Sequence, residues 1–376
     1  MFFFAESLFG FRQWRRYIQL VVDICEALTS SRGCTLAESL PDVPVSGQHF
    51  AIFPTARITI LSMRVFPFAK QSPLPVGIFL GILLLAGTLR VQATHNLAGQ
   101  ITAEQNDPAN PNSYLITLTT YTDPAPNNVD RCAADFQIWS VNNPRTLLEE
   151  IIEVPRNNGQ PYTPAAGACD ITNPLSGVQV KGTVKRNTYS FTYVFPGPGQ
   201  YDIYYYDVAR HGSVKNITNP TEQAFFVETR LFISPPIIGG NNTPLLLNEP
   251  LDDACVGKLW THNPGGYDPD GDSLAYSLSE SFHYDPSVGS PPAPMIASGY
   301  IFPDDPSFGP SSLTVHPLSG IITWDVPQQM GIYNFGIKIE EWRDGQLLGF
   351  VLRDIAVWVE DCNNDPPVIE TISDTC

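Results

Sequence analysis

This chain of 376 residues is poor in the features that would favour helix or mark a common enzyme. After residue 93 no stretch carries the long 3.6-residue apolar repeat of an amphipathic helix. No G-x-S-x-G, H-E-x-x-H or G-x-x-x-x-G-K-[ST] occurs, which removes the usual motifs of serine hydrolases, zinc peptidases and nucleotide-binding phosphate loops. No C-x2-C pair occurs, so a zinc ribbon is excluded. The histidines beyond residue 93, His95, His211, His262, His283 and His316, are scattered without metal-ligand spacing. Basic residues are also scarce. Residues 1–93 hold 8 Lys/Arg and 5 Asp/Glu, which leaves 13 and 33 of the chain's 21 and 38 for residues 94–376. The body thus carries a formal charge near −20 within a total of −17. It lacks the basic face that nucleic acid requires, and an acidic surface suits an extracellular protein that meets divalent cations.

What residues 1–93 do contain is a targeting pattern. Met63-Arg64 and Lys70 form a basic start, Val76 to Gly87 an apolar core, and Val91-Gln92-Ala93 a small-residue end before Thr94. These are the three parts of a secretory signal over 63–93. The core is short for a span of about 20 residues, although a retained membrane anchor is the alternative. Residues 1–62 mix Phe-rich and Arg-rich pieces with Cys25 and Cys34 and do not lead into the signal. They read as spurious or disordered upstream sequence, with Met63 as the start. The expected location is secreted or cell-surface, with membrane contact only through 63–93.

The rest is a series of short β runs separated by Pro, Asn and Gly. Runs at 113–121, 136–139, 178–184, 189–195, 201–206 and 224–233 are rich in β-branched and aromatic residues. Pro235-Pro236 and Gly239-Gly240-Asn241-Asn242 then read as a linker. A second set covers 245–247, 255–260, 273–278, 313–315, 321–324, 332–339 and 347–359, with Asp344-Gly345 as a hairpin turn. The fold class is therefore all-β, as tandem antiparallel β-sandwich domains over 94–236 and 244–362 after the N-terminal signal segment. Residues 363–376 read as a linker into a further repeat. Each half contains one G-x-Y strand entry, Gly199-Gln200-Tyr201 and Gly331-Ile332-Tyr333, the placement of a tyrosine corner in immunoglobulin-like sandwiches.

The most informative run is Gly266-Tyr267-Asp268-Pro269-Asp270-Gly271-Asp272-Ser273-Leu274. Asp268, Asp270 and Asp272 alternate around Pro and Gly, and such a cluster is costly without a cation. Hard cations take several oxygen ligands from such loops, so calcium is the expected cofactor; a solvated acidic turn is the alternative. An EF-hand is excluded, because its Gly and Glu positions hold Ser273 and Ser279. Glu340-Glu341 could pair with Asp270 as glycosidase carboxylates, lie solvated on the hairpin, or add calcium ligands. Tyr204, Tyr205, Tyr206 and Trp342 could stack on sugar, although runs of Tyr in strands are usually core on one face.

Five cysteines follow the signal. Export permits disulfides. Cys132 with Cys169 falls inside the first unit, and Cys255 with Cys362 joins the first and last strands of the second; free buried cysteines are the alternative. Cys376 is left over.

The acidic turn resembles the D-x-D-G-D-x-L strand entry of cadherin-like and dystroglycan-like repeats. Ser319-Gly320-Ile321-Ile322-Thr323-Trp324 is similar to their S-G strand, and Asp361-Cys362-Asn363-Asn364-Asp365-Pro366-Pro367 to their acidic inter-repeat linker. The resemblance covers Asn248 to Pro367 and implies that Asp361 and Asn363 join Asp268, Asp270 and Asp272 around calcium. The L-D-R-E motif of cadherins is absent. The opening Thr94-His95-Asn96-Leu97-Ala98-Gly99-Gln100-Ile101-Thr102 resembles that of the gliding-motility-associated secreted surface proteins of Bacteroidota. Together these imply a non-enzymatic structural or adhesive surface protein whose partner is a cell-surface protein or glycan, with no nucleic acid and no nucleotide. The runner-up is a pair of carbohydrate-binding modules from a larger polysaccharide-degrading enzyme.

Overall fold

The computed structural model describes residues 96–124, 131–141, 144–161, 175–233 and 240–362. The signal at 63–93, the segment 1–62, the tail 363–376, Cys169 and Asn363 lie outside them. The first half supplies β1 (Asn96–Gln105), β2 (Ser113–Thr122), β3 (Ala133–Ser140), β4 (Thr146–Pro155), β5 (Val178–Lys181), β6 (Val184–Val194), β7 (Gly199–Asp207) and β8 (Phe225–Ile233). The second supplies β9 (Leu251–Cys255), β10 (Trp260–His262), β11 (Ser273–Ser279), β12 (Ser312–Val315), β13 (Ile322–Asp325), β14 (Gly331–Arg343) and β15 (Gln346–Glu360). Helix among the described residues is limited to two 3-10 turns, Pro220–Glu222 and Pro306–Phe308. No helix among them is long and apolar enough to cross a membrane. The class is all-β with antiparallel sheets, consistent with a β-sandwich.

The strands form because their side chains alternate between core and surface. In β2, Tyr114, Ile116 and Leu118 are buried, while Leu115, Thr117 and Thr119 face outward. Two segments read as single strands are in fact broken by glycine. Val178–Val184 is a hairpin turning at Gly182 (φ +53°), and Cys255–Trp260 is a turn at Gly257 (φ +74°) between β9 and β10. These left-handed conformations suit Gly and end a strand. Strand β4, absent from the sequence-based expectation, reads TLLEEIIEVP and is exposed on both faces along most of its length. It therefore lacks the alternation that identifies a strand.

Each half has its own core. One is built from residues between Ile101 and Ile233, the other from residues between Leu246 and Val359. These two clusters lie on either side of 236–244 in sequence, but two smaller clusters and the largest sheet run across that point. The largest sheet runs β4-β3-β7-β8-β15-β1-β2-β6-β5, with β14, β11 and β9 branching from β15 and β14. β14 pairs with β15 along its full length. Along its other edge, β15 meets β8 at Phe350 and Val351, β1 at Asp354, and β9 in parallel from Ala356 to Glu360. Strand β15 is buried almost without interruption because it is covered on both faces. Gly349 permits its closest approach: a Cβ there would lie 2.2 Å from the carbonyl oxygen of Arg230.

Further packing joins the halves. Tyr284 packs on Trp139, Tyr204 and Phe226, and its hydroxyl donates to Gln137 Oε1 at 2.9 Å. Tyr204 and Tyr205 are core residues, which leaves them unavailable as a sugar platform. Arg210 and Asp354, both buried, pair at 2.6 Å. The two G-x-Y entries behave alike: Tyr201 donates to Gly197 O at 2.8 Å and Tyr333 to Gln329 O at 3.1 Å, each four residues upstream. Asp344 (φ +51°) and Gly345 (φ +76°) form the expected hairpin turn between β14 and β15. Cys255 and Cys362 form a disulfide with Cα atoms 5.4 Å apart. The partner expected for Cys132 falls outside the described residues.

Candidate metal centre

The acidic turn lies where the chain passes from the pair Leu245–Leu246 with Gly266–Tyr267 into β11. Gly271 adopts φ +84°, which allows the turn to fold back on Asp268. One oxygen of Asp268, Oδ1, accepts the backbone N–H groups of Asp270 and Asp272 at 2.9 and 3.0 Å. Such Asx bonds are a usual turn device. The other oxygen, Oδ2, is buried and has no partner.

β11 then runs antiparallel to β14, with Leu274 opposite Glu341 and Ser273 opposite Trp342. This register brings the turn to the end of the hairpin strand. Ligand oxygens of Asp268, Asp270, Asp272 and Glu341 all lie within 4.8 Å of one another. Glu341 shares the core-facing side of β14 with Ile337 and Ile339 and is fully buried. Its Oε1 is buried without a partner, while Oε2 accepts from Asn241 at 3.3 Å. Glu340 faces the other way and pairs with Lys338 at 2.8 Å. Of the two glutamates on this strand, Glu341 belongs to the cluster.

The electrostatics follow from burial. Burial, the close Asp272 carboxylate and the Asp268 charge push the Glu341 carboxyl up to about 9. Burial also raises Asp268, against the opposing backbone N–H groups. One cation stands among the four carboxyl groups. Arg343 grips Asp272 through Nε at 2.7 Å and Nη2 at 2.5 Å, and its Nη2 lies 4.0 Å from Asp270. The same guanidinium donates to Gly240 O at 3.1 Å and Asn241 Oδ1 at 3.3 Å.

The segment 240–243, read as a linker from its glycines and asparagines, is fastened to this cluster. The Asn242 backbone N–H donates to Asp270 Oδ2 at 2.5 Å, and its side chain donates to both Asp270 oxygens at 3.0 and 3.2 Å. On its other side the segment joins β1: Thr243 N donates to Ala103 O at 2.9 Å, and Asn242 Oδ1 accepts from Gln105 N at 2.6 Å. Asn241 and Thr243 are fully buried.

Asp268, Asp270 and Asp272 thus come together as expected, but Asp361 is elsewhere. Glu341 pairs with Gly349, whereas Gly331 pairs with Val359 beside Asp361. Twelve residues of extended chain, at about 3.3 Å each, separate Asp361 from the cluster's level on the hairpin. Asp361 therefore lies at the opposite pole of the hairpin, Asn363 falls outside the described residues, and the segment beside the carboxylates is the upstream one. Asn241, Asn242 and Arg343 were not among the expected site residues. Arg343 had a readable signal, because residues two apart on a strand share a face and Glu341-x-Arg343 places opposite charges together. Asn241 and Asn242 had none beyond their proximity to Pro and Gly.

Four carboxyl groups with one guanidinium leave surplus negative charge and two buried oxygens without partners. An all-oxygen set of this kind can hold a metal ion, and its hard donors suit calcium or magnesium better than softer metals. No protein-family model matches the chain, and no curated protein is significantly similar to it.

Proposed function

We propose that the chain is a non-enzymatic exported surface protein with a structural or adhesive role. In this reading, calcium held by Asp268, Asp270, Asp272 and Glu341 stiffens the junction between its two halves. The observation that carries the reading is the grip of the acidic cluster on residues 240–243, which connect the two cores. A cation there would bind carboxylates from the turn and from β14 at once, tying the connection to both. Calcium is favoured over magnesium because four carboxylates spread over a turn and a strand suit its larger, more variable oxygen shell, and Mg2+ demands tighter octahedral geometry. The export pattern at 63–93, the acidic body and the resemblance to gliding-motility-associated and cadherin-like surface proteins support the location and role.

Two measurements test this. In scanning calorimetry of the full chain, millimolar Ca2+ raises the melting temperature of chelator-treated protein more than Mg2+ does; the absence of a Ca2+-dependent shift rejects the metal. Protease treatment of intact cells digests the protein if it is surface-exposed; full protection until lysis rejects the location.

A further inference from the structure

A second site lies away from the acidic turn. A cleft of about 300 Å3 opens between the outer face of β1, β2 and β6 and the segment Leu246–Glu249. On its floor Gln100, Thr119 and Thr188 occupy one row across the three strands, since Gln100 pairs with Thr119 and Thr119 with Thr188. Residues in register on adjacent strands point to the same face about 4.8 Å apart. The next row places Tyr121 opposite Arg186. Arg186 and the Tyr121 hydroxyl both bond to Glu249, which closes the far wall. Leu247, 71% exposed, stands on the rim.

The floor groups have little to bind within the protein. The side-chain hydroxyls of Thr119 and Thr188 make no hydrogen bond among the described residues. Gln100 is only 8% exposed, and its Oε1 is buried with no partner. A buried amide oxygen left unpaired costs free energy, so its place in the floor of a cleft calls for a donor from outside. Each hydroxyl can donate and accept, and the amide does both. The row therefore complements a ligand that is itself rich in hydroxyls, and strand spacing matches the separation of alternate hydroxyls on a pyranose ring. The charges in the wall are already balanced, Arg186 against Glu249, which favours an uncharged ligand.

We propose that this cleft binds a neutral saccharide unit, with Gln100, Thr119 and Thr188 reading its hydroxyls and Leu247 covering an apolar ring face. This names a partner class for the surface role proposed above and rests on that reading only for where the glycan is met; the cleft is tested without reference to calcium.

The test is isothermal titration of the full chain with a panel of tetrasaccharides: gluco-, manno-, xylo- and chito-oligomers, and tetragalacturonate as the acidic member. At least one neutral member is expected to bind, and Thr119→Val with Thr188→Val to weaken it about tenfold through the lost hydrogen bonds. Valine keeps the shape and strand preference of threonine, and unchanged melting of the variant shows that the fold is kept. Gln100→Leu provides a second variant with the same expected direction. The proposal is overturned if no neutral saccharide binds at millimolar concentration, if only tetragalacturonate binds, or if binding survives both variants. A failed titration beside a normal calcium-dependent melting shift would reject the cleft and leave the metal reading standing.

Discussion

The long hairpin of β14 and β15 is tied at both ends, by unlike means. At one end Cys255 and Cys362 form a covalent link beside the Gly331–Val359 pair. At the other, near the Asp344-Gly345 turn, four carboxyl groups and Arg343 hold the turn 268–272 and the connection 240–243. The covalent tie constrains the unfolded chain and, in an oxidising compartment, is indifferent to cations. The ionic tie is assembled from groups that burial penalises. The contrast with Arg210 and Asp354 makes the point: there one buried cation meets one buried anion, whereas at the acidic turn anions outnumber the cation. A balanced pair is a structural element; a surplus of carboxylate, with Asp268 and Glu341 buried, marks a place where stability is left to the solution, through protons or metal.

The largest effect is expected from the covalent end. Replacing Cys255 and Cys362 by Ser should lower stability by roughly 4–5 kcal/mol, given the long loop they close. Urea unfolding would measure it, and the calcium response of the double variant should remain. Loss of that response would mean that the two ends are not independent.

The ionic end should reveal itself through pH in metal-free protein. Glu341 is pushed up to about 9, and Glu228, raised mainly by burial and then by Asp202, to about 7. Both folded-state values lie above the ordinary 4.5, so the folded protein binds more protons than the unfolded chain between these limits. Stability is therefore complete below about pH 4.5 and falls as pH rises through 7 and then 9, at up to about 1.4 kcal/mol per pH unit for each group. Unfolding midpoints taken with a chelator should decline across this range. Glu341→Gln should flatten the upper part and Glu228→Gln the lower. A flat profile in the native protein would remove the electrostatic account of the turn.

The smallest effects should come from the two tyrosine corners, which compare the halves themselves. Tyr201→Phe and Tyr333→Phe each remove one hydroxyl bond to the backbone and should cost about 1 kcal/mol, neither depending on calcium. A cost confined to one half would show that the shared device is not used alike.

Much of this was legible from short-range pattern. The alternation of β2, the Asp344-Gly345 turn, the G-x-Y entries and the pairing of Cys255 with Cys362 all depend on residues whose physics is local or on cysteines with few candidate partners. The Asp268–Asp272 turn was legible because its carboxylates are adjacent in sequence. Strand β4 was not, because its exposed faces carry no alternation. The shared role of β15 was not, because pairing with β1, β8 and β9 depends on contacts far apart in sequence. The same long-range register decided what met the turn: sequence likeness pointed to Asp361, whereas pairing of Leu274 with Glu341 brought in β14 and the segment 240–243 instead.

Calorimetric titration of chelator-treated protein with Ca2+ tests this assignment most directly, on the native chain, Glu341→Gln and Asp361→Asn. The account predicts one binding event at roughly 10⁻⁴–10⁻³ M, the range of extracellular modules, stabilising the fold by about 1 kcal/mol at a few times the dissociation constant. Binding should be lost or strongly weakened in Glu341→Gln and unchanged in Asp361→Asn. Normal binding in Glu341→Gln together with loss in Asp361→Asn would place the ion at the opposite pole and contradict the account.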